Sequence, residues 1–96
     1  MRRTSFQWDS AKDAANQRTH GVPFAIAQFA FADPKRVIAS DLLHSEKDER
    51  FFCFGEVEGG VLPVRFTYRK GSIRILGAGY WRRGKRIDEQ ANPLHR

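Results

Sequence analysis

The stretch HSEKDER, residues 44–50, places an imidazole, three carboxylates and a guanidinium within seven positions. Further along, RFTYRKGSIRI, residues 65–75, alternates apolar and polar positions and supplies Arg65, Arg69, Lys70 and Arg74. Together these groups could cut RNA without a metal ion. That chemistry needs a base to deprotonate the 2′-hydroxyl, cations to stabilise the phosphorane, and an acid for the leaving oxygen. His44 or Glu49 could act as base or acid, and Arg50, Arg65 and Arg74 could hold the developing charge. Spacing alone equally allows residues 44–50 to be an acidic surface loop. His20 reads first as a helix C-terminal residue that favours the local dipole, and next as a reserve proton-transfer group.

A two-residue turn at Lys70–Gly71 would fix which residues share a face. It sets Arg69 opposite Ser72, Thr67 opposite Arg74 and Arg65 opposite Leu76. Arg65, Arg69 and Arg74 then lie on one face, and Val64, Phe66, Tyr68, Ile73 and Ile75 on the other. A second turn at Gly59–Gly60 would place Phe54 opposite Arg65 and Phe52 opposite Thr67. Arginines bind phosphate through two parallel hydrogen bonds and aromatic rings stack on bases, a combination suited to single-stranded RNA. Phe52 and Phe54 read more readily as core beneath a helix or partner. Three like charges on one small face point instead to an anionic ligand.

The elements that must carry these groups follow from periodicity and punctuation. Residues 6–9 read as a short strand. Asp9 caps a helix over residues 10–19, which Gly21 stops. Pro23 opens a second helix at its first-turn position, reaching about Phe31. Strands follow at 36–40, 51–58, 61–69 and 72–80, and a short helix at 82–90. Pro63 lacks a ladder donor, which predicts an edge position or a bulge. The order β-α-α-β-β-β-β-α predicts one α+β domain over residues 1–96, with two helices on an antiparallel sheet.

Composition narrows the function classes. With 41% apolar residues and eight Phe, the 96-residue chain can build a core. A single cysteine, Cys53, excludes an internal disulfide and any multi-cysteine zinc site. No metal-ligand spacing, phosphate-binding glycine loop or nucleophile elbow occurs, so no cofactor is expected. The start, MRRTSFQWD, has no apolar leader, and no run approaches the ~18 apolar residues of a membrane span. A cytoplasmic location is expected. Net charge is +6, and residues 65–86 hold eight bases and no acid. A one-sided basic field predicts a polyanionic partner, usually nucleic acid.

Several segments together resemble the BrnT family of bacterial toxins. They are FQWD-SAKDAANQRTHGV, the HSE-x-x-ER element with FG following, the FTYR-x-G-x-IRI hairpin and GAGYWRRGKR. They span nearly the whole chain, weak singly and specific jointly. The resemblance implies a RelE-like fold and a metal-independent ribonuclease. It also implies a BrnA antitoxin with a ribbon-helix-helix DNA-binding part, the complex repressing its own operon through operator DNA. Many family members carry basic residues where this chain has Gly79–Tyr80. Here Tyr80 and Trp81 are expected to stack on RNA, with Arg69, Lys70, Arg82 and Arg83 binding its phosphates. The competing readings are a non-catalytic RNA-binding or co-repressor module, and an interaction protein whose arginines dock an acidic chain. Carboxylates repel phosphate, so a pure binder gains nothing from residues 44–50.

Overall fold

The computed structural model describes residues 4–44 and 49–80. The helix expected at 82–90 lies outside them. The first strand, β1, is Phe6–Gln7. Asp9 then accepts the Ala11 amide proton as N-cap of α1, Ser10–His20, and Gly21 ends that helix in the left-handed region at φ 71°. The second helix, α2, is only Phe24–Ala27 and tightens into a 3-10 segment, Gln28–Ala32. Pro23 is the N-cap of α2, one place earlier than expected, with extended backbone. Strand β2, Val37–Ser40, leads through a 3-10 turn at Leu42–His44. The meander β3 (Phe51–Val57), β4 (Gly60–Arg69) and β5 (Ser72–Ala78) completes the fold.

The sheet order is β1-β5-β4-β3-β2. Strands β2 to β5 pair antiparallel, but β1 lies parallel to β5, so the sheet is mixed rather than antiparallel throughout. The meander leaves the outer edge of β5 open, and β1 fills it. Phe6 anchors β1 there by packing on Phe31, ring centroids 5.3 Å apart.

Both hairpin turns have two central residues at positive φ, as tight primed turns require. They are Glu58 (52°) with Gly59 (85°), and Lys70 (51°) with Gly71 (80°). The first turn is therefore Glu58–Gly59 and not Gly59–Gly60. Phe52 pairs with Arg65 and Phe54 with Pro63, in place of the expected pairing of Phe54 with Arg65 and Phe52 with Thr67. The slip is two residues, so every side chain keeps its expected face. Pro63 stands in an interior strand, contrary to its edge expectation. Its carbonyl accepts from Gly79, just past the end of β5. The nitrogen of a residue points to the same side as its carbonyl, so the missing donor falls where the ladder has run out. The bulge comes two residues on, between Arg65 and Phe66: Arg65 faces Gly77, not Leu76, and Leu76 is the extra residue.

One face of the sheet is the core floor. Phe24, Ala27 and Ala30 from the helical segment meet Cys53, Leu62, Val64, Phe66 and Ile75, all fully buried. Gly55 permits this approach, since a Cβ there would lie 2.1 Å from the Ala30 carbonyl oxygen. Helix α1 attaches differently. Its single buried residue is Asn16, and it docks on β5 through polar contacts.

Candidate nucleic-acid interface and active site

The opposite face is the one the arginines occupy. Arg65, Thr67 and Arg69 alternate along β4, Arg74 stands across from Thr67, and Phe52 across from Arg65. The register thus separates Arg65, Arg69 and Arg74 from Phe66, Tyr68, Ile73 and Ile75, as the hairpin reading expects. Tyr68, on the core side, is 58% exposed and packs its ring against Phe51 and Phe66.

Each guanidinium has its own setting. Arg74 donates from Nη1 to the Gln7 carboxamide at 2.8 Å, tying β5 to β1. Arg65 lies over the Phe52 ring, 5.5 Å from its centroid, and Phe52 stacks on Phe54 at 5.6 Å. Its Nε is 3.3 Å from the carboxylate of Asp41, an ion pair not aligned for a hydrogen bond. Asp41 is buried. Arg69 and Lys70 are exposed at the tip of the β4–β5 hairpin.

The loop meets this face at its end. The Asp41 amide donates to the Arg50 carbonyl at 2.7 Å, and the Thr67 hydroxyl donates to the Glu49 carbonyl at 2.6 Å. Glu49 is exposed and Arg50 half-buried beside the sheet. His44 closes the 3-10 turn, and its side chain, with residues 45–48, lies outside the described residues. So do Trp81, Arg82 and Arg83.

Tyr80 is not brought to the arginines. Its hydroxyl donates to the Val57 carbonyl at 2.6 Å, at the Glu58–Gly59 end of the sheet. Burial, and then the nearby Glu58 carboxylate, push its pKa above the usual phenol value. Lys70 sits at the far end of the ten-residue strand β4, about 30 Å away at 3.3 Å per residue. His20 also lies apart, packed against Gly79 on the helix side; a Cβ on Gly79 would come within 2.6 Å of its ring. His20 lines an open groove of about 310 Å³ with Lys12, Thr19 and Leu76.

Such a basic open face beside an acidic loop fits several activities, and a family comparison decides among them. The family model for the ribonuclease toxin BrnT of type II toxin–antitoxin systems matches residues 8–84. The chain belongs to the BrnT family. No curated protein matches it at a significant level. BrnT toxins are ribonucleases paired with an antitoxin, so the activity and the existence of a partner follow from membership. The match covers every element described above from Trp8 onward, including the loop and the arginine hairpin. Among the described residues of this BrnT chain, no three His, Cys, Asp or Glu side chains gather as metal ligands would. None of its described helices is long and apolar enough to cross a membrane.

Sequence reasoning missed Asp41, Thr67, Gln7 and Asn16. Two left a signal. Thr67 interrupts a row of arginines, and Asn16 occupies a helix interior, where asparagine is normally unfavourable unless its side chain has a partner.

Proposed function

We propose that this BrnT toxin is a metal-independent endoribonuclease with a RelE-like fold that leaves 2′,3′-cyclic phosphate ends. The observation that carries the reading is the placement of Glu49 and Arg50 beside the face that presents Arg65, Arg69 and Arg74. His44 or Glu49 takes the proton from the 2′-hydroxyl, and the freed oxygen attacks phosphorus. Arg50, Arg65 and Arg74 stabilise the charge on the phosphorane. An acid from the same loop protonates the departing 5′-oxygen. Arg69 and Lys70 hold flanking phosphates. Trp81, Arg82 and Arg83 supply further stacking and phosphate contacts, a role from which Tyr80 is withdrawn because its hydroxyl is held at Val57.

The partner is a BrnA-like antitoxin with a ribbon-helix-helix part that carries the complex to operator DNA. Half-buried Phe52 and Phe54 beside Arg65 suit an acidic or apolar antitoxin segment laid over the face, since covered cations need compensation. Covering it blocks RNA directly.

Purified protein and a short RNA test the chemistry. Cleavage should persist in EDTA and yield 2′,3′-cyclic phosphate, because the 2′-hydroxyl is the nucleophile. Replacing His44 or Glu49 by Ala should slow cleavage ~10²–10⁴-fold, the range for a positioned acid or base. Loss of activity in EDTA, or 5′-phosphate products, would refute the mechanism. Tight RNA binding with no cleavage would instead favour a non-catalytic RNA-binding or co-repressor module.

A further inference from the structure

Along the open face, β4 presents Arg65, Thr67 and Arg69 at successive outward positions. Arg69 is exposed and Arg65 keeps 30% of its side chain in solvent, yet Thr67 between them is 5% exposed. The middle residue is buried because the chain at Glu49 crosses it. The Thr67 hydroxyl donates to the Glu49 carbonyl at 2.6 Å, short for a hydrogen bond between oxygens. Threonine suits the task, because its branched Cβ leaves few rotamers and aims the hydroxyl.

Two other contacts pin the same stretch. The Asp41 amide and the Arg50 carbonyl close residues 41–50 into a loop at its base. The Asp41 carboxylate then holds the loop's first residue against Arg65. Thr67 differs from both in its place. It faces Arg74 across the ladder, so one residue pair carries both the bond to the loop and the guanidinium beside it.

We infer that Thr67 is a positioning residue for RNA cleavage: its hydroxyl fixes the backbone at Glu49, setting the proton-transfer loop at a defined distance from Arg74. The inference rests on the ribonuclease reading above and adds to it a residue that touches no substrate. The bond reaches the Glu49 carbonyl and not its carboxylate. Losing it therefore changes where the carboxylate stands, while its chemical identity stays the same.

Thr67→Val keeps the shape and removes the donor, and Thr67→Ser keeps the donor. Single-turnover cleavage of a short RNA should fall about 10–100-fold in Thr67→Val, the scale of an ångström's misplacement of a catalytic group. RNA affinity should stay within about twofold of wild type, because the phosphate contacts of Arg69, Lys70 and Arg74 are untouched. The pH–rate limbs should keep their positions while the plateau drops. Thr67→Ser should recover most of the rate. Thr67→Ala carries the same expectation as Thr67→Val and replaces it if the valine variant does not fold. Full activity without the hydroxyl, a serine variant as impaired as valine, or displaced pH limbs would each overturn the inference. Wild-type protein that cleaves no RNA would overturn the ribonuclease reading, and the inference with it. Active wild type with an equally active valine variant overturns the inference alone.

Discussion

Asn16 gives its carboxamide protons to the carbonyls of Val22 and Ala78, at 2.8 and 2.7 Å, and accepts the Ala78 amide proton at 3.1 Å. One side chain thereby substitutes for a neighbouring strand at the end of β5 and holds α1 to the sheet. Asn16→Ala would leave three buried backbone groups short of a partner, each costing about 1–3 kcal/mol if water cannot replace the bond. Partial solvent access at the helix edge lowers the sum, and we expect about 2–4 kcal/mol in urea unfolding, with an unchanged slope. A loss below about 0.5 kcal/mol would show that α1 docks by other means. Cys53 illustrates the opposite case. Its thiol lies in the core, 3.7 Å from the Ala30 carbonyl, and burial pushes its pKa up to about 11. It packs as a small apolar residue and offers no thiolate at neutral pH.

At the scale of elements, connections matter more than the strands they join. Asp33, between the 3-10 segment and β2, accepts the Glu56 amide at 2.8 Å and the Lys35 amide at 2.9 Å. The bond from Glu56 first, then that from Lys35, holds its carboxyl below the ordinary 3.8. The ionised form therefore favours folding at pH values above 3.8, and its contribution fades as pH falls through the lowered value. Wild type should lead Asp33→Ala in urea midpoint at about pH 6 and lose that lead progressively as pH falls below 3.8 and through the lowered value. A lead of the same size throughout would mean that the carboxylate charge is not what matters. The strands themselves were legible in sequence, because alternation and glycine turns are local signals. The faces were legible too, since a turn misplaced by one residue slips the register by two and so preserves them. Three features were not. The parallel pairing of β1 with β5 joins residues 67 positions apart, and nothing local in Phe6–Gln7 names that partner. The bulge at Leu76 looks like ordinary strand alternation. Asp41 reads as one loop acid among four, and only folding sets it against Arg65.

For the molecule as a whole, charge is organised by the sheet. The core and the helical segment from Phe24 to Ala32 take one side, and the hairpin delivers Arg69, Lys70 and Arg74 to the other side or its tip. RNA binding should weaken linearly in log–log with salt, by about 0.7 per neutralised phosphate on a single strand, or about 2 for three contacts. Arg74→Ala should reduce that slope by about 0.7. Fluorescence anisotropy across a salt series measures both. A salt-independent affinity would remove the open face from RNA recognition.

The β1–β5 pairing also bears on when the molecule becomes dangerous to the cell that makes it. A ribosome releases the N-terminal end first, so Phe6 and Gln7 emerge long before Ile73 and Arg74, their ladder partners. Until β5 has left the exit tunnel, β1 has no place in the sheet, Asn16 has no strand end to grip, and Arg74 has no Gln7 to orient it. Non-local pairing of this kind is paid in loop-closure entropy and forms late. The nascent chain thus carries its acidic loop before it carries a finished cationic surface. If RNA binds the arginine face as proposed, competence to bind it arrives only after synthesis of the domain, when an antitoxin laid over that face would compete for it.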